Sequence, residues 1–116
     1  AFDNFAVLAG ADPLLLPLLK KGGAGCITAT SNLVARDLAY VFAHFNDGDA
    51  ALDAAQQRIV KARERVSRFP QIASLKALLA HETGHAGWHR LRPPLLPLPQ
   101  ENVDALLATA LAQEPA

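Results

Sequence analysis

Two short apolar runs near the start of the chain constrain it most. Phe5-Ala6-Val7-Leu8-Ala9 ends at Gly10, and Cys26-Ile27-Thr28-Ala29-Thr30 follows about twenty residues later. Each reads as a strand: the first is apolar on both faces and the second is rich in β-branched residues. Between them, Asp12 and Pro13 read as an N-cap and first helical residue, and Leu14, Leu15, Leu18 and Leu19 follow at helical spacing. Pro17 distorts the first turns, Lys20 and Lys21 suit a helix C-terminus, and Gly22-Gly23 end it. Strand, helix, strand in so few residues is a βαβ unit, with parallel strands and a right-handed crossover. Parallel strands that are apolar on both faces need neighbours on both borders or a closed barrel.

Everything after Asn32 is helical or proline-rich. Ser31 or Asn32 caps a helix whose stripe is Val34, Leu38, Val41, Phe42 and Phe45, closed by Asn46-Asp47-Gly48. Asp49 is the expected N-cap of a helix from Ala50 to about Arg68, with Leu52, Ala55, Ile59, Ala62 and Val66 inward. Pro70 opens another, with Ile72, Leu75, Leu78 and Leu79 on one face, ending near Thr83 or Gly84. Arg92 to Pro99 holds four prolines and reads as an extended connector. A last helix is expected from Gln100 to about Ala112, with Val103, Leu106, Leu107, Ala110 and Leu111 inward, and the tail Gln113 to Ala116 is expected to fray. No strand is left to cover the first two. The chain therefore reads as the C-terminal part of a larger α/β protein; the alternative is a mostly helical domain with a small two-stranded element.

Composition narrows the function classes. Eleven basic residues balance eleven acidic ones, which argues against nucleic acid and membrane surfaces as partners. Hydrophobic residues make up 51% of 116, enough for one packed domain. The single cysteine, Cys26, excludes an internal disulfide and favours a reducing, cytoplasmic setting. No apolar run approaches the roughly 18 residues of a membrane span, no signal peptide is visible, and the absence of any Met fits a chain that begins within a longer one.

Two stretches, Phe5 to Asp12 and Gly22-Gly23-Ala24-Gly25-Cys26-Ile27-Thr28-Ala29-Thr30-Ser31-Asn32, resemble the seventh and eighth strands of the dihydrodipicolinate synthase / N-acetylneuraminate lyase family. Gly48-Asp49, Leu75-Lys76-Ala77-Leu78-Leu79 and Leu91-Arg92-Pro93-Pro94-Leu95 resemble its C-terminal helical region. The resemblance implies the last two β/α units of a (β/α)8 TIM barrel over residues 1–46 and a C-terminal helical extension over 47–116. It also implies a class I aldolase-type lyase, often a tetramer, in which a barrel lysine forms a Schiff base with pyruvate or a related 2-keto acid, with no cofactor or metal. Gly10 and Ile27 would border the keto-acid pocket, Gly10 through its backbone, at the strand ends where barrel active sites lie; the plainer readings are a turn glycine and a core isoleucine. Asp12 would stand at the mouth, although a helix cap is the simpler role.

The Schiff-base lysine, the tyrosine and the threonine-rich loop of the family lie on earlier strands. Lys20, Lys21, Lys61 and Lys76 fall on predicted helices, so no catalytic residue is expected in this segment. Pro13 stands where N-acetylneuraminate lyases carry an acidic residue, which weakens a sialic-acid substrate. A 2-keto-3-deoxy sugar acid aldolase or dehydratase of the same family is an alternative; a non-catalytic helical interaction module is another.

His81-Glu82-Thr83-Gly84-His85 matches the zinc pattern H-E-x-x-H. Gly84 and Gly87 place the helix end there, so ordinary helix-terminal histidines are the favoured reading. Arg58, Lys61, Arg63, Arg65 and Arg68 read as a solvated helix face, Cys26 as a buried strand residue, Trp88 as a packing anchor and His44 as a surface residue.

Overall fold

The structure is a computed structural model in which residues 3–111 are described. The two apolar runs pair in parallel, as β1 (Leu8–Ala9) and β2 (Gly25–Cys26), with Leu8 opposite Gly25 and Ala9 opposite Cys26. Each strand is two residues long, against the five that the sequence pattern implies. The reason is that a ladder extends only as far as both partners present matching backbone groups. Two further bonds continue this one, from Ala24 N–H to Val7 O (2.8 Å) and from Ile27 N–H to Ala9 O (3.0 Å).

The crossover begins as a 3-10 turn (Asp12–Leu14) and becomes α1 (Leu15–Leu19), with Pro17 on an exposed side. Helix α1 closes in a Schellman motif. Gly22 takes φ +86°, Gly23 N–H donates to Leu18 O (2.9 Å) and Gly22 N–H to Leu19 O (2.9 Å). A left-handed residue at this position is cheap only for glycine.

Among the described residues the chain divides into two compact units, between Arg63 and Glu64. In the first, α1 packs with α2 (Ser31–His44) and the first part of α3 (Ala50–Val66). The core contains Leu15, Leu16, Leu19, Val34, Leu38, Val41, Leu52, Ala55 and Ile59. The predicted stripe of α2 holds at Val34, Leu38 and Val41, but Phe42 is exposed and Phe45 half-buried. Neither Ser31 nor Asn32 caps α2: the cap position is Thr30, and both side chains bond back to carbonyls, Ser31 to Thr28 O and Asn32 to Ala29 O. A break at Val34 (φ −118°, ψ 27°) separates the first turn from the rest of the helix.

Asp49 does cap α3: its Oδ1 accepts from Leu52 N–H at 2.7 Å. Replacing Asp49 with alanine is expected to cost about 1 kcal/mol, read as a lower urea midpoint, while Asp49→Asn keeps most of the stability.

The second unit holds α4 (Gln71–Thr83), a 3-10 turn (Ala86–His89), the proline connector and α5 (Gln100–Leu111). Helix α4 starts after Pro70 and stops at Gly84, whose φ is +67°. Its buried face is Ala73, Ser74, Leu75, Ala77, Leu78 and Ala80, while Ile72, expected inward, is exposed. Ser74 is tolerated there because its hydroxyl donates to Pro70 O (3.0 Å). The connector carries no regular structure from Arg90 to Pro99, and its Pro93–Pro94 bond is cis. Val103 and Leu106 of α5 are buried and Leu107 is half-buried. The expected inward side chains Ala110 and Leu111, the helix end at Ala112 and the tail Gln113 to Ala116 fall outside the described residues. No helix among the described residues is long and apolar enough to cross a membrane.

Candidate functional site

The residues that the sequence proposes for a site lie at the C-terminal ends of β1 and β2. Carried one step past Ala9 and Cys26, the parallel register sets Gly10 beside Ile27. The bond from Ile27 N–H to Ala9 O fixes that adjacency. Both residues are exposed, Ile27 by 75%. Ile27 is therefore not part of this chain's core. Gly10 has no positive φ, and a Cβ built there meets nothing within 4 Å. Nothing in the chain's own packing requires glycine at this position.

Asp12 departs from the sequence expectation. The N-cap of the 3-10 turn is Ala11, and the turn has no side-chain cap. The Asp12 side chain is fully buried and turns to the other strand, where Oδ1 accepts from Thr28 Oγ1. The reason is proximity: Thr28 stands just past β2 in the same layer, and a buried carboxylate needs a donor more than a solvated turn needs a cap. Sequence reasoning passed over Thr28. The available signal was a hydroxyl residue in an apolar run, facing an acid placed just after the companion run.

Cys26 is half-buried, and its thiol pKa is raised, chiefly by burial and then by the Asp12 carboxylate. A thiol held protonated in this way is a poor nucleophile, which agrees with its reading as a strand residue.

Lys61 and Lys76 sit on helices, as expected, while Lys20 and Lys21 fall in the turn that follows α1. Lys20 and Lys21 are exposed at the end of α1, Lys61 is exposed on α3, and Lys76 on α4 donates to Arg90 O. None stands at a strand end, where a Schiff-base nucleophile would face a barrel mouth.

The H-E-x-x-H pattern is broken by backbone geometry. His81 and Glu82 end α4, Gly84 is left-handed, and His85 lies beyond the helix, its Nδ1 accepting from Gly87 N–H at 3.0 Å. The two imidazoles do not lie on successive turns of one helix. Trp88, expected as a packing anchor, is 39% exposed on the 3-10 turn. Arg58, in the basic run, donates through Nε (3.0 Å) and Nη2 (2.6 Å) to Asp37 on α2. His44 stacks on Tyr40, with ring centroids 4.3 Å apart, and its Nδ1 lies 2.6 Å from Asp47 Oδ2.

Comparison with known proteins places this arrangement. The profile of the dihydrodipicolinate synthetase family matches residues 1–113. A 4-hydroxy-tetrahydrodipicolinate synthase of Methanococcoides burtonii is 32% identical over 96% of the chain and 38% of its own length. An uncharacterized DapA-like lyase of Chloroflexus aurantiacus is 37% identical over 93% of the chain and 36% of its own length. The crystal structure of dihydrodipicolinate synthase DapA-2 from Bacillus anthracis superposes with a TM-score of 0.80 at 25% identity, over 100% of the chain and 39% of that structure. The chain thus spans less than two-fifths of the length of these relatives. With a profile match over nearly every residue and a fold that superposes throughout, the chain belongs to the dihydrodipicolinate synthetase family.

Proposed function

We propose that these residues are the C-terminal part of a (β/α)8 barrel enzyme, a class I aldolase-type lyase acting on pyruvate or a related 2-keto acid. Residues 1–46 are its last two β/α units and 47–116 its helical extension. Gly10 and Ile27 border the keto-acid pocket from the two strand ends. The Schiff-base lysine comes from an earlier strand of the full enzyme, which works as a cytoplasmic homo-oligomer on a small-molecule substrate.

One observation carries this reading. The two parallel strands pair with each other and with no other strand among the described residues, and apolar side chains stand open around them. Phe5 is 71% exposed, and Val7, Leu8 and Ile27 are also open to solvent. Burying a fully exposed side chain of this kind contributes roughly 1.5 to 3 kcal/mol, and these are half to three-quarters open, so further strands and helices on these borders would stabilise them. Closure into a barrel supplies them and leaves the strand ends, with Gly10 and Ile27, at the mouth. The family membership supports the lyase chemistry, and Pro13 beside Asp12 supports a keto acid other than sialic acid.

The test is reductive trapping. Full-length protein treated with pyruvate and borohydride is expected to gain a covalent mass adduct on a lysine outside this segment. An intact barrel with no adduct, or an adduct confined to Lys20, Lys21, Lys61 or Lys76, refutes the reading.

A further inference from the structure

The Asp12 carboxylate is completely buried, with Oδ1 held by Thr28 Oγ1 and Oδ2 without a hydrogen-bond partner among the described residues. One hydroxyl is thin compensation for a buried carboxylate, and an apolar pair of similar volume would fill the same space at lower cost. The position of the bond offers a reason for it. Asp12 lies two residues after Gly10 and Thr28 one residue after Ile27, so the bond ties the two segments just beyond the last ladder contact, from Ile27 N–H to Ala9 O. Side chains alternate along the second segment: Ile27 faces solvent while Cys26 and Thr28 are half-buried. The effect of Asp12 on the Cys26 thiol agrees with a carboxylate facing that inner side.

We propose that Asp12 is a positioning residue: by holding Thr28 it fixes the backbone at Gly10 and Ile27 where the keto acid is to bind. This rests on the function proposed above and adds how that site keeps its shape. A strand end without the tie is free to shift, and small displacements at a binding site cost affinity steeply.

The experiment uses full-length protein, pyruvate as probe, and the variants Thr28→Val and Thr28→Ser. Trapping with borohydride gives the half-saturating pyruvate concentration and the rate at saturation; hydrogen exchange reports the Ile27 and Ile59 amides. Thr28→Val is expected to raise the half-saturating concentration about tenfold, with the saturated rate changed less than about threefold. Ile27 should exchange about tenfold faster while Ile59, in the core, does not change. Thr28→Ser, which keeps the donor, should return both to within about twofold of wild type. Faster Ile27 exchange with unaltered pyruvate dependence makes the bond merely structural and overturns the proposal, leaving the keto-acid reading intact. Unaltered exchange in Thr28→Val overturns it too. A wild-type protein that traps no pyruvate removes the keto-acid reading itself, and the positioning role with it.

Discussion

Replacing Ile59 with alanine is expected to lower the stability of the protein by about 3 to 4 kcal/mol. Ile59 is fully buried in the cluster where α3 meets α1 and α2, among Leu15, Leu38 and Val41. Its truncation removes three carbons from an apolar site and leaves a cavity that three helices cannot close, because each is also held by its other core residues. Alanine is the better helix former, but that gain is only a few tenths of a kcal/mol and does not offset the loss. Against a typical total stability of about 5 to 15 kcal/mol, the loss is large. Ile59→Val, which removes one methyl group, should cost about 1 kcal/mol. Urea midpoints of the two variants measure both. A loss below about 1 kcal/mol for Ile59→Ala contradicts a tightly packed three-helix core.

Gly23→Ala is the second large effect, and it works by collision. A Cβ at residue 23 falls 2.3 Å from Leu18 Cγ and 2.9 Å from each of its Cδ atoms. The Cγ is close to the backbone and cannot swing aside as a side-chain tip can. The loop has little room to retreat, since Gly23 N–H is bonded to Leu18 O and the adjacent Ala24 N–H to Val7 O. The expected cost is about 1 to 3 kcal/mol. If collision is the cause, adding Leu18→Ala should remove most of it, so that the double variant is little worse than Leu18→Ala alone. Additive losses exclude this mechanism. Gly10→Ala meets nothing within 4 Å and should barely alter stability.

The helices were legible because their information is local. The repeat Leu52, Ala55, Ile59, Val66 marks the buried face of α3, and Asp49 its start, within a few residues of each other. The strands were legible as a pair and in their parallel direction, but not in length, because a ladder's extent depends on a partner segment distant in sequence. The role of Asp12 is non-local for the same reason. As a cap it would have satisfied its neighbours; its actual partner lies sixteen residues away. In α4 the expected stripe failed at Ile72 because the buried face includes small residues, Ala73, Ser74, Ala77 and Ala80, that hydrophobicity alone did not mark. Gly10 and Ile27, which the resemblance alone proposes for the pocket, each follow the last paired residue of their strand. Thr28 lies past β2 and its partner sits sixteen residues back, so only the folded chain pairs it with Asp12.

A single dihedral at Gly84 interrupts the helical spacing of His81 and His85 in the second unit. With φ at +67°, the chain turns a corner between His81 and His85 and sends the second ring elsewhere. A residue there that carried the spiral one more turn would stack both rings on one flank, at the spacing that captures transition ions. The five-residue pattern is thus written into the chain, and one backbone angle parts its two imidazoles.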